Sequence, residues 1–145
     1  MNNITIKVKY HSVDIPEIAP IEQGDCIDLY AAERVELKAF ESAVISLGIS
    51  VKMPEGYKAH LMPRSSTFKK WGIIQTNSIG IIDNSYSGEN DVWCMPVLAM
   101  RDTTIEVGDR IAQFEIVDVM NTPTIIKVDH MEDADRGGFG STGSR

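Results

Sequence analysis

The chain has 145 residues, enough for one domain with a proper core, and its 24% charged and 43% apolar residues are ordinary soluble-globular usage. A net charge of −7 argues against a nucleic-acid binder, which would carry a basic patch, but leaves room for a nucleotide held by a few arginines, backbone N–H groups and a divalent cation. No apolar run approaches the roughly 18 residues of a spanning helix, and Lys7 and Lys9 interrupt the N-terminal apolar positions a signal peptide would need, so a cytoplasmic protein with no membrane partner is expected.

Short strand-like runs dominate the chain. Residues 4–10 alternate apolar and polar side chains, the period of a half-buried strand. Asp28 follows in a strand-like run over 25–32, and further runs lie at 43–45, 48–51, 57–62, 73–75, 92–99, 110–119 and 124–128. Turn signals separate them: Pro54-Glu55-Gly56, Thr76-Asn77-Ser78, Asn84-Ser85, Val107-Gly108-Asp109 and Asn121-Thr122-Pro123. One short helix is predicted over 67–71, capped by Ser65 or Ser66 and stopped by Gly72. Many short strands with frequent turns indicate an all-β fold, a sandwich or distorted jelly roll. The domain is expected over 1–135. A flexible glycine-rich arm over 136–145 should stay mobile until something orders it.

Cys26 and Cys94 have no Cys-x-x-Cys spacing and read as free thiols in a reducing compartment. His11, His60 and His130 are isolated, so no zinc site is expected. The most informative stretch is Gly80-Ile81-Ile82-Asp83-Asn84-Ser85-Tyr86. Ile81 and Ile82 read as the end of a buried strand, with Asn84-Ser85 at the tip of a tight hairpin. That geometry puts a carboxylate and a ring at the two roots of one turn, facing a space that suits a small planar molecule. An ordinary structural hairpin would read the same way in isolation.

Four other segments bear on that stretch: Asp25-Cys26-Ile27-Asp28-Leu29-Tyr30, Pro63-Arg64-Ser65-Ser66, Gly108-Asp109-Arg110-Ile111-Ala112-Gln113 and Arg136-Gly137-Gly138-Phe139-Gly140-Ser141-Thr142-Gly143. With the turn third, their order and spacing resemble the five motifs of the trimeric dUTP diphosphatases. The resemblance implies Mg²⁺-dependent hydrolysis of dUTP to dUMP and pyrophosphate, which limits uracil in DNA and supplies dUMP for dTMP synthesis. It also implies a homotrimer with shared active sites.

Carried over motif by motif, the resemblance makes Asp28 a magnesium residue acting through water, as suits an ion that dehydrates reluctantly. Arg64, Ser65 and Ser66 take the phosphate chain. Asp83 orients and activates the attacking water, and Tyr86 packs beneath the deoxyribose, leaving no room for a 2′-hydroxyl. Asn77 and backbone groups up to Ile82 read uracil, and Gln113 reaches the α-phosphate or the water. In the arm, Arg136, Ser141 and Thr142 hold the γ-phosphate while Phe139 stacks on the base, with Trp93 as the alternative lid. Asp109 and Arg110 read as an ordinary surface pair.

Two motifs depart from the family pattern: the first is one residue short before Asp28, and the fifth lacks two residues between Arg136 and Gly138. Two rivals share the fold. A dCTP deaminase needs a glutamate shortly after the turn, and there is none between Asn90 and Ile105. A regulatory, protein-binding relative would usually carry an inserted segment, and none is apparent.

Overall fold

The computed structural model describes residues 3–140. In chain order its elements are β1 (Lys7–Tyr10), β2 (Ile27–Leu29), β3 (Val35–Leu37), β4 (Ser42–Ser46), β5 (Ile49–Lys52) and β6 (Tyr57–Pro63), then the helix α1 (Thr67–Trp71), and finally β7 (Ile73–Gln75), β8 (Gly80–Ile82), β9 (Cys94–Ala99), β10 (Thr103–Ile105) and β11 (Ala112–Asp118). Every pairing is antiparallel: β1 with β5, β3 with β10, the order β2-β11-β6-β8 in the largest sheet, and β4-β9-β7 in the next. This is the distorted jelly roll that the strand-and-turn rhythm predicts.

Alternation explains which faces close the core. In β9, Met95, Val97 and Ala99 point inward while Cys94, Pro96 and Leu98 are half-buried. In the largest sheet, Phe114 of β11 faces Leu61 of β6, and both are fully buried. The Trp93 ring meets Phe114 edge-on, with centroids 5.0 Å apart, the arrangement that aromatic quadrupoles favour. Trp93 is 1% exposed, so it is a core side chain and not a lid over a ligand.

The helix spans the five predicted residues, but its start differs from expectation. Ser66 occupies the N-cap position with helical dihedrals and makes no capping hydrogen bond. Buried Thr67 does the fixing: its hydroxyl accepts from the Arg64 N–H at 2.8 Å and donates to the Ile111 carbonyl at 2.9 Å. A hydroxyl that both donates and accepts in the interior ties two loops together, whereas an exposed serine cap serves only the helix. At the other end Gly72 is left-handed (φ 64°), its N–H donates to the Phe68 carbonyl, and a Cβ there would lie 2.7 Å from the Arg101 side chain. Gly72→Ala should therefore destabilise the protein by about 1–2 kcal/mol, read as a lower denaturation midpoint at unchanged m-value.

Two further expectations are corrected. Residues 124–128 form no strand; each is exposed, and no helix or strand occurs from 119 to 140. A β-branched run needs a partner edge to become a ladder, and among the described residues none pairs with it. Nor is the 80–86 stretch a hairpin. β8 pairs only with β6, and after Tyr86 the chain leaves for β9 in another sheet. With β8 at a sheet edge, Ile81 is 58% exposed, so the strand end is not buried as read.

Candidate active site

Register assembles a first group of predicted residues. Asp28 on β2 lies opposite Gln113 on β11, which lies opposite Met62 on β6, one residue before the strand ends at Pro63. Residues opposite one another in adjacent strands face the same side of the sheet, so Asp28 and Gln113 share a face and Arg64 emerges at its end. Arg64 Nε sits 3.0 Å from Asp28 Oδ1, and Arg110 Nη1 donates to Asp28 Oδ2 at 3.4 Å. The Asp28 carboxylate is 8% exposed and is thus neutralised from two sides, as a buried carboxylate must be. Arg64 Nη1 also donates to the Arg110 carbonyl at 3.3 Å and to Ser66 Oγ at 3.5 Å. Gln113 Nε2 donates to the Pro63 carbonyl at 3.3 Å, and Ser65 is exposed alongside.

Arg110 is the residue that sequence reading missed here. Its neighbour Asp109 accepts from the Glu106 N–H, so the two do not pair with each other. No local signal reveals this, because Asp28 and Arg110 meet only when β2 and β11 pair. The group offers two guanidinium groups, hydroxyls and an amide, which suit phosphate oxygens.

For a divalent cation the fit is narrow. Among the described residues no cluster of three or more His, Cys, Asp or Glu could cage a metal ion. Asp28 alone remains. Each of its oxygens accepts one contact and keeps a lone pair, enough to accept a hydrogen from a metal-bound water. That fits an ion held mostly by substrate phosphates and waters, the usual arrangement for Mg²⁺.

A second group lines a cavity of about 400 Å³: Asn77, Gly80, Ile81, Ile82, Asp83 and Tyr86 from the turn region, backed by Leu61 and Trp93. The turn is rigidly held. The Tyr86 N–H donates to the Asp83 carbonyl at 3.0 Å, closing a four-residue turn. Asn84, which the sequence assigns only to the turn tip, donates to the carbonyls of Pro54 and Tyr57 and pins the turn to the start of β6. The Tyr86 hydroxyl donates to the Val92 carbonyl at 3.0 Å, and burial pushes its phenol above the ordinary value, so it stays neutral. Cys94 borders the same cavity, and burial likewise raises its thiol, which makes it a sluggish nucleophile at neutral pH. Asp83 itself is exposed and, among the described residues, makes no side-chain hydrogen bond or ion pair that would occupy its oxygens.

Among the described residues no side-chain hydrogen bond or ion pair joins the two groups, and neither includes the arm. Arg136 is exposed and Phe139 fully so, with a left-handed backbone (φ 49°) at the latter. Ser141 and Thr142 lie outside the described residues.

Known proteins resemble this chain along most of its length. The dUTPase family model matches residues 14–143. The SPbeta prophage-derived deoxyuridine 5′-triphosphate nucleotidohydrolase YosS of Bacillus subtilis (strain 168) is 51% identical over 140 residues, covering 97% of this chain and 99% of its own. A deoxyuridine 5′-triphosphate nucleotidohydrolase of Hydrogenobaculum sp. (strain Y04AAS1) is 38% identical over 122 residues, covering 82% and 83%. Among solved structures, the dUTPase of Staphylococcus bacteriophage 80alpha with dUPNHPP superposes with a TM-score of 0.79 at 26% identity, covering 96% of this chain and 98% of that one. On a family match over residues 14–143 and 51% identity to a relative along nearly the whole chain, this chain belongs to the dUTPase family.

Proposed function

We propose that this chain hydrolyses dUTP to dUMP and pyrophosphate, with Asp83 activating the water that attacks the α-phosphorus. The observation that carries the reading is the cavity that holds Asn77 together with Asp83 and Tyr86 of one pinned turn. A free carboxylate titrates at about 4 and is a weak base at neutral pH. It suffices where charge at phosphorus is neutralised by other groups, because the remaining task is to position the water. The P–O bond to the leaving pyrophosphate then breaks in line. Arg64, Ser65 and Ser66 hold the phosphate chain, Gln113 reaches the α-phosphate or the water, and Mg²⁺, steadied through water by Asp28, supplies neutralisation of the triphosphate when bound.

Asn77 and the backbone up to Ile82 read the base, and the Tyr86 ring closes the space beneath the sugar. Tyr86→Ala should therefore lower the kcat/KM preference for dUTP over UTP about tenfold or more, the scale of one poorly filled contact, and an unchanged preference would move the sugar check elsewhere.

Within one chain the two catalytic residues fall apart: Asp83 lines the cavity while Gln113 belongs to the phosphate group. That division, together with the exposed Arg136 and Phe139 of the arm, supports a homotrimer in which each site draws on more than one subunit. Phe139 would then stack on a neighbour's uracil while Arg136, Ser141 and Thr142 close on the γ-phosphate. The arm would work as a unit separate from the domain over residues 1–135. Stacking is worth about 1–3 kcal/mol per base, so removal of 136–145 should cost roughly 10–10² in kcat/KM. Because Arg136 and Phe139 are exposed in this chain, the melting temperature should hold.

We place the enzyme in the cytoplasm, where its two free thiols stay reduced. No helix among the described residues is long and apolar enough to cross a membrane. Incubating the chain with dUTP, dCTP, UTP and dTTP plus Mg²⁺, and identifying products by phosphorus NMR, tests the whole reading. Pyrophosphate and dUMP from dUTP alone are expected. Deamination of dCTP would instead assign the chain to its deaminase relatives, and intact nucleotides throughout would favour a protein-binding role.

A further inference from the structure

Strand β7 places Ile73 and Gln75 inward and Ile74 outward, so Gln75 stands where the period-two pattern calls for an apolar side chain. It is 8% exposed. Its Nε2 donates to the Leu61 carbonyl at 3.1 Å and to Asn77 Oδ1 at 2.8 Å, while its Oε1 is buried with no partner. An unpaired buried acceptor is unfavourable, and leucine or valine would fill the position without one. The amide must therefore serve something beyond packing.

The direction of these bonds is fixed from the backbone outward. The Leu61 carbonyl only accepts, so the nitrogen end of Gln75 must face it. That same nitrogen then occupies Asn77 Oδ1. Asn77 Nδ2 is left as the end with no partner among the described residues, close to Gly80, where a Cβ would lie 3.4 Å from it. Asn77 lines the cavity with Gly80 to Asp83.

We propose that Gln75 is a positioning residue that locks the Asn77 amide with its donor toward the base, making the cavity select a carbonyl over an amino group at the edge that Asn77 reads. The inference rests on the dUTP reading. Uracil presents a carbonyl at position 4, which accepts from an amide N–H; cytosine presents an amino group there, which meets the same amide donor to donor.

The test is a double-mutant cycle on the ratio of kcat/KM for dUTP to that for dCTP, with melting temperatures as the fold check. Gln75→Met should lower the ratio about tenfold. The same substitution in an Asn77→Ala background should leave the ratio where Asn77→Ala alone puts it, because the lock then has nothing to orient. A ratio unmoved in the first case, or moved equally in both, overturns the proposal. Should Gln75→Met not fold, Asn77→Asp at its exposed position takes over the test. It still accepts from Gln75 but turns an acceptor to the base, so an unmoved ratio again overturns the proposal. A wild-type chain that leaves dUTP intact overturns the parent reading as well, whereas normal dUTP hydrolysis with unmoved ratios overturns this one alone.

Discussion

Asp83→Asn is expected to lower kcat about 10²–10⁴-fold while the protein folds and melts like the parent chain. The substitution keeps the shape and removes only the ability to take a proton from water. Structure predicts no stability cost, because Asp83 is exposed and engages no side-chain partner; the turn is held instead by Asn84, the Tyr86 N–H and the Tyr86 hydroxyl. Binding of a non-hydrolysable dUTP analogue should stay within a few-fold, since base and phosphates are read elsewhere. Calorimetric titration alongside steady-state kinetics separates the outcomes. Near-normal turnover would remove Asp83 from its role, and parallel loss of binding and rate would make it a substrate-holding group.

Arg64→Ala should damage both stability and catalysis, for one reason. Arg64 is the nearer of two guanidinium groups on a carboxylate that is almost wholly buried. Breaking a buried ion pair by removing one partner typically costs about 3–5 kcal/mol, and here the loss should fall short of that range because Arg110 remains. Urea denaturation would show a lower midpoint. Asp28→Asn introduced with Arg64→Ala should recover part of the stability, since it removes the charge left under-paired; no recovery would mean that the Arg64 stem, not its charge, matters. Kinetically, KM for dUTP should rise because a phosphate-binding fork is gone. Arg64→Lys should rescue little of either effect, as a single ammonium cannot span Asp28, Ser66 and the Arg110 carbonyl together.

These two residues differ in how they could be read beforehand. Asp83 is visible in the sequence because its pattern is local, two apolar residues, a polar turn and a ring three positions on, even though Asn84 ties that turn to distant Pro54 and Tyr57. Arg64 is visible as a motif residue, but its ion pair is not, since Asp28 joins it only through the pairing of β2 with β11 and β11 with β6. Arg110 was read as a surface residue for the same reason. Strands β3 and β10 are not legible in the sequence because they pair only with each other, across the fold. Residues 124–128 carry the β-branched composition of a strand yet form none among the described residues, because composition reports a preference and not the edge that would pair with it.

The sequence by itself determined the family, the strand-rich architecture, the bounds of the short helix and the turn that carries Asp83 and Tyr86, since these follow from spacing, turn chemistry and caps within a few residues. Tertiary structure alone decided that Trp93 lies in the core against Phe114, that the β8 turn closes no hairpin, that Thr67 replaces a serine cap, and that no side-chain hydrogen bond or ion pair among the described residues joins the two groups of site residues. Each of these depends on which distant strand lies alongside, and burial and hydrogen-bond partners are settled only when that register forms.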